Sequence, residues 1–399
     1  MQLLVALCLA YANAAYVPSP SKGCSGKAAE LPVTAGAEPQ QQTITIQDAS
    51  QSQGSIDRTY YLQLPKDYND SQPAMLITDL HGYYDTAEGQ IGENRLAEYL
   101  RTAGVNAVFV APEGSNDGGA SESWNVDGNG LNTAAGPLGD ICETDRSFWS
   151  KYKCYDSCTA GDNGCDAAKG CNSASCMDDK GFLTQLLDHL QDTYCLDVRH
   201  NHYTSISTGS LMVMSLVKAI PDRVASMVPV AGSVAGSHFL GFNKNPETKS
   251  PVAYMDIHGV QDNTVPANVT NGFHPKKQRA KGHCDEDASG YCAGPDGSAV
   301  SNDGFFYTPV PNITLTWAEN NDCDFSGNAP YATSFDGADA KWQFSCNAPH
   351  GSCGGADVVQ CTGAWDHTWA FCPYNEYPCA NTDYAQLAVE FMAAHPKLA

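Results

Sequence analysis

The sequence predicts an α/β fold, a mostly parallel sheet with helices on both faces. Short apolar runs rich in β-branched and aromatic residues, among them AMLITDL at 74–80, AVFVA at 107–111 and YTSI at 203–206, alternate with stretches of helical spacing. A parallel sheet built with crossover helices requires that alternation. The 399 residues suffice for one large domain with insertions or for two smaller ones, and no internal repeat is present.

Residues 1–14 read as a secretion signal, an apolar run followed by the small-x-small site Ala12-Asn13-Ala14, although the usual positive start is missing. Nothing later is apolar for long enough to span a bilayer, so an extracellular protein is expected, without a membrane partner. One of the 17 cysteines, Cys8, lies in that signal, so 16 remain. Their even, high count and spacings such as Cys154-x3-Cys158 fit disulfides and not zinc, and neither a metal nor a cofactor is expected. Sequons at Asn69, Asn268 and Asn312 fit a glycoprotein. With 45 acidic residues against 22 Lys and Arg, the net charge of −23 excludes nucleic acid as a partner and favours a neutral or weakly charged substrate. A monomer is expected.

In chain order, residues 15–42 form a Pro-, Gly- and Gln-rich leader, with Cys24 as a pin. The main domain, 43–399, opens with edge strands at 43–46 and 58–64, then the buried strand 74–80, which ends at His81-Gly82-Tyr83-Tyr84. A helix through 96–101 leads to strand 107–111. Residues 114–176 hold six cysteines and little periodicity, and read as a disulfide-stapled excursion over one end of the sheet. Within it, Asp127-Gly128-Asn129-Gly130 starts like a calcium loop but lacks the terminal glutamate, and reads as a turn. The amphipathic helix 177–194 follows, with Phe182, Leu183, Leu186, Leu187 and Leu190 inward. Strands at 225–230, 252–257 and 356–361, a second cysteine-rich insertion at 281–353 and a closing helix at 384–394 complete the chain.

The chemistry centres on Ser207. It lies between strand 203–206 and a helix whose Val213, Leu216, Val217 and Ile220 recur at i, i+3, i+4 and i+7. A serine at a sharp strand-to-helix turn is the nucleophile elbow of an α/β-hydrolase, and the turn aims the next N–H, here of Thr208, at a developing oxyanion. The loop after strand 74–80 supplies the second donor in that fold, here the N–H of Tyr83. Asp262 follows a late strand and His367 the last one, giving the α/β-hydrolase chain order Ser…Asp…His. A plain βα unit with a surface serine, a turn-capping Asp262 and a structural His367 form the alternative reading. Tyr84, Trp124, Trp365 and Trp369 are candidates to frame an apolar or aromatic acyl group, or to pack the core.

The stretch SISTGSLMVMSLVKAIPDRVASMVPVAGS resembles the elbow region of secreted esterases that include feruloyl esterases and polyhydroxybutyrate depolymerases, whose pattern is G-x-S-N-G-G-M, then D-R-hydrophobic and P-V-A-G. IHGVQDNTVP is similar to their H-G-x-x-D-x-x-V-P, with Asp262 at the acid position, and WDHTW to their G-H-x-W, with His367 at the histidine position. DLHGYY and the helix CMDDKGFLTQLLDHLQDTYCLD extend the likeness, which covers about 60–114 and 178–396. Three departures stand out: Ser205 replaces the elbow glycine, Thr208-Gly209-Ser210 replaces N-G-G, and Asp366 replaces the glycine before the histidine, leaving either Asp262 or Asp366 as the orienting acid. The resemblance implies a serine carboxylesterase acting on polysaccharide-linked hydroxycinnamate esters, with a polyester depolymerase second, while Ser205 and the heavy insertions leave a catalytically silent extracellular binding protein as the alternative.

Overall fold

The computed structural model describes residues 16–24, 31–48, 54–118, 121–126, 135–136, 139–142, 152–159, 173–234, 250–271, 285–286, 292–294, 297–335, 341–373 and 378–398. The expected signal at 1–14 and the turn at 127–130 lie outside these residues.

Ten strands form the main sheet among the described residues: β1 (Gln40–Gln47), β2 (Ser55–Gln63), β3 (Ala74–Leu80), β4 (Ala107–Pro112), β5 (Leu196–Ile206), β6 (Ser226–Val230), β7 (Ala253–Gly259), β8 (Ala329–Pro330), β9 (Ser345–Ala348) and β10 (Val358–Gly363). Their order is β1-β2-β4-β3-β5-β6-β7-β10-β9-β8. From β4 to β10 the six neighbours run parallel, while β1, β2, β8 and β9 add antiparallel edges. The parallel strands read as continuous apolar runs because both of their faces are covered.

Side-chain alternation with period two divides each strand between two cores. On one face Leu76, Leu80, Val108 and Val110 pack under α3 (Asp179–Thr193), α4 (Thr208–Ala219) and α5 (Val310–Asn320). On the other, Ile77, Phe109, Met255 and Val359 pack under α1 (Ala87–Asn94), α2 (Leu96–Ala103) and α6 (Asp383–Ala394). Phe182, Leu183, Leu186, Leu187 and Leu190 of α3 are buried as their spacing requires.

The cysteine-rich stretches contribute more to the core than expected. Trp124, Ile141 and Cys142 of the first belong to the core beside α3. The second contains α5, whose Ile313 and Trp317 are buried and whose Trp317 stacks on Tyr254 of β7. Val310, Ile313, Thr314 and Trp317 carry a helical spacing that the surrounding glycines and cysteines obscure. Five disulfides join described residues: Cys24–Cys195, Cys158–Cys176, Cys323–Cys353, Cys346–Cys361 and Cys372–Cys379. The first ties the leader beside β5, where the Ser21 hydroxyl also donates to the Tyr194 carbonyl at 2.7 Å. Among the described residues no helix is long and apolar enough to cross a membrane.

One buried and one half-buried carboxyl couple this packing to pH. Asp79 of β3 accepts from the Gln90 and Asn94 amides of α1, and burial pushes it up to about 7 despite those bonds. Burial and the charge of Asp85 likewise raise Glu93 to about 7, against a hydrogen bond from Trp369. Each binds its proton more tightly folded than unfolded, so its stabilising contribution is complete below about pH 4 and lost as pH rises through about 7. Thermal midpoints are therefore expected to fall between pH 5 and pH 8. Asp79→Asn should flatten that slope without unfolding the protein, because the unpartnered Gln90 Oε1 is available to accept from the new amide. A slope unchanged in the variant counts against Asp79 as a source.

Candidate active site

Ser207 occupies the single residue between β5 and α4, with φ 55° and ψ −124°. A non-glycine residue there is strained and persists only where the surroundings hold it. Its N–H donates to the Val230 carbonyl at the end of β6 (3.0 Å), and its carbonyl accepts from Ser210 (2.9 Å). Gly209 makes the fit possible: a Cβ there would lie 2.4 Å from the Leu80 carbonyl oxygen and 2.5 Å from that of His81. The loop after β3 thus rests directly on the elbow, and a Cβ on Gly82 would stand 3.3 Å from the Cβ of Ser207.

The two departures within the elbow are linked. The buried Ser205 hydroxyl donates to the Ser210 hydroxyl (3.0 Å), which donates to the Val230 carbonyl (3.0 Å) and accepts the Val230 N–H (3.2 Å). Serine at 205 is therefore a paired polar group and not a loose substitute for glycine, since a buried hydroxyl without a partner costs about 1–3 kcal/mol.

The loop of Tyr83 is fixed from beneath. The buried His81 ring accepts the Gly114 N–H at Nε2 (2.9 Å), which leaves Nδ1 to donate to the Gly82 carbonyl (2.7 Å). The Trp124 Nε1–H donates to the His81 carbonyl (2.8 Å). Tyr83 is half-buried, its ring edge-on to Tyr152 at 5.3 Å. Among the described residues no protein group accepts the backbone N–H of Tyr83 or of Thr208.

Asp262 and His367 follow β7 and β10, which are paired in parallel, and so stand at the same carboxyl edge as Ser207. Backbone bonds stitch their loops together: Val260 N–H to the Gly363 carbonyl (2.9 Å) and Gln261 N–H to that of Trp365 (3.0 Å). His367 Nδ1 lies 2.8 Å from Asp262 Oδ2. The other oxygen, Oδ1, accepts the N–H groups of Thr264 and Val265, both at 2.9 Å. Burial alone would raise this carboxyl, but the charge of His367 and hydrogen bonds from His258 and His367 outweigh it and hold Asp262 well below the usual carboxylate range. The exposed Asp366 instead turns its carboxylate back onto the His367 backbone N–H. Of the two carboxylates left open by the sequence, Asp262 faces the ring.

The four expected wall residues separate. Tyr84 is 75% exposed and held at φ 71°, a strained exposed tyrosine two residues after Gly82. Trp124 and Trp369 are fully buried and Trp365 is 3% exposed. Trp365 packs against Trp342, Phe344 and Phe371, and Trp369 against Tyr384. These tryptophans take the core alternative: indole area drives burial, and they support the loops of the edge instead of framing an acyl group. Among the described residues no three His, Cys, Asp or Glu side chains are grouped as metal ligands.

A strained serine between a parallel strand and the helix that follows, with a histidine–aspartate pair on the same edge of a mostly parallel sheet, gives the chain the α/β-hydrolase fold. No protein-family model and no curated protein sequence matches it. Among solved structures, an acetyl xylan esterase from Aspergillus awamori is 12% identical with a TM-score of 0.44, over 83% of this chain and 95% of that one. A ferulic acid esterase is 14% identical with a TM-score of 0.33, over 56% and 79%. A thermostable esterase is 15% identical with a TM-score of 0.35, over 60% of this chain and half of its own length.

The serine bridge makes a measurable claim. Ser210→Ala removes the partner of Ser205 and of the Val230 N–H, and is expected to cost about 1–3 kcal/mol in denaturant unfolding. Ser205→Ala on top of it should cost less than it does alone, and simple additivity would refute the bridge.

Proposed function

We propose that the protein is a secreted serine carboxylesterase. Ser207 attacks the ester carbonyl, His367 takes its proton and returns it to the leaving alcohol, and Asp262 fixes the histidine tautomer and steadies the imidazolium. The N–H groups of Thr208 and Tyr83 stabilise the oxyanion. Water activated by His367 then releases the acid. The observation that carries this reading is the 2.8 Å contact between His367 Nδ1 and Asp262 Oδ2 on the edge where Ser207 is held at positive φ. That contact leaves Nε2 as the ring nitrogen for proton transfer.

The substrate class follows from the motif resemblance: hydroxycinnamate esters of plant cell-wall polysaccharide first, polyesters second. The exposed Tyr84 ring, on the loop that rests against the elbow through Gly82, is a surface for an aromatic or apolar acyl group. The disulfides and the signal-like start support an extracellular setting.

A serine-directed phosphonate is expected to label the protein stoichiometrically at Ser207. Ser207→Ala should abolish labelling and lower p-nitrophenyl butyrate turnover by at least on the order of a thousandfold. Absence of labelling from mildly acidic to mildly basic pH would sink the esterase reading. Methyl ferulate is expected to be cleaved faster than a hydroxybutyrate oligomer, and peptide anilides not at all.

A further inference from the structure

Asp262 is shared. Its Oδ2, 2.8 Å from His367 Nδ1, also lies 3.5 Å from Nε2 of a second imidazole, His258. His258 is fully buried on β7, on the face that also carries Tyr254 and Asp256. Both of its ring nitrogens meet acceptors. Nε2 is 2.7 Å from the Val265 carbonyl, and Nδ1 is 3.4 Å from Asp256 Oδ1, itself fully buried. A neutral imidazole has one N–H, so one nitrogen would turn a bare lone pair toward an acceptor. Two N–H groups satisfy both directions, and the ring is then a cation between two carboxylates.

We propose that His258 is a positioning residue for the hydrolysis, a buried imidazolium that keeps Asp262 ionised and aimed at His367 while opposing the positive charge that His367 gains. This rests on the Ser207–Asp262–His367 reading and adds a fourth and a fifth member, His258 and Asp256, to the charge chain. Among the described residues the charged groups acting on His258 are Asp256 on its own strand and Asp262 on the loop after it. Those acting on Asp262 are His258, His367 from the loop after β10, and the like-charged carboxyl of Asp256. Thr362, opposite His258 on β10, is neutral, and burial keeps the Tyr254 hydroxyl protonated. Burial alone would strip the proton from His258, but the two carboxylates outweigh it and push the ring up to about 10. Burial also pushes the Asp256 carboxyl up, and the facing imidazolium pulls it back.

The charge chain alternates in sign, so neutralising His258 and neutralising Asp256 must act in opposite directions. In His258→Gln the protonated form of His367 loses a neighbouring cation. The acid limb of kcat/KM for p-nitrophenyl butyrate is expected to move to higher pH by about one unit, with KM little changed. In Asp256→Asn the net charge beside Asp262 becomes more positive, and the limb should move to lower pH. A merely structural role shifts neither limb, or lowers kcat alike in both variants, and either result overturns the proposal. Should His258→Gln fail to fold, Asp256→Asn carries the kinetic test alone.

Ring ¹⁵N spectra of the Ser207→Ala protein read the charge without reference to catalysis. Both His258 nitrogens are expected in the protonated range from pH 6 to pH 8.5, and an unprotonated Nδ1, with the proton on Asp256, overturns the proposal. Failure of phosphonate labelling sinks the nucleophile reading, whereas a neutral His258 ring sinks this one.

Discussion

The backbone of Ser207 is the constraint from which the edge of the sheet is organised. A residue with a Cβ reaches φ 55° only if its neighbours hold it there, and here they do so from three sides. The Val230 carbonyl takes its N–H, the helix α4 takes its carbonyl, and the carbonyls of Leu80 and His81 close over Gly209. Two of these contacts come from the strands on either side of β5, Leu80 from β3 and Val230 from β6, so the elbow forms only when β3, β5 and β6 are in register.

The loops around it repeat that logic with buried polar groups. His81 and Trp124 hold the Tyr83 loop through hydrogen bonds to Gly114, Gly82 and the His81 carbonyl. Backbone bonds join the Asp262 and His367 loops before any side chain is considered. The first cysteine-rich stretch therefore takes part in the site, because Trp124 comes from it. Such networks cost heavily when half satisfied and give one geometry when complete. The proposed catalytic geometry inherits that uniqueness.

Electrostatics acts in the same region with opposite signs. Asp262 is held ionised by imidazoles on two sides, while Asp79 and Glu93, hydrogen-bonded to neutral amide and indole groups, are driven toward their neutral forms by burial. Elsewhere in the core the fully buried Asp179 is instead paired with the Arg58 guanidinium at 2.8 Å.

The alternation of apolar runs, the amphipathic face of α3 and the order Ser207, Asp262, His367 were legible in the sequence, because periodicity and chain order are local properties. The α5 helix was obscured by the cysteines and glycines around it. Tertiary structure alone decided that Asp262 and not Asp366 meets the histidine, that Trp124, Trp365 and Trp369 lie inside, and that Ser205 has a partner in Ser210. It alone also brought His258 onto the same carboxylate oxygen as His367. The physical reason is common to all four: each depends on which atoms the folded sheet edge brings within hydrogen-bonding or packing distance, and residue types and spacing do not encode that directly.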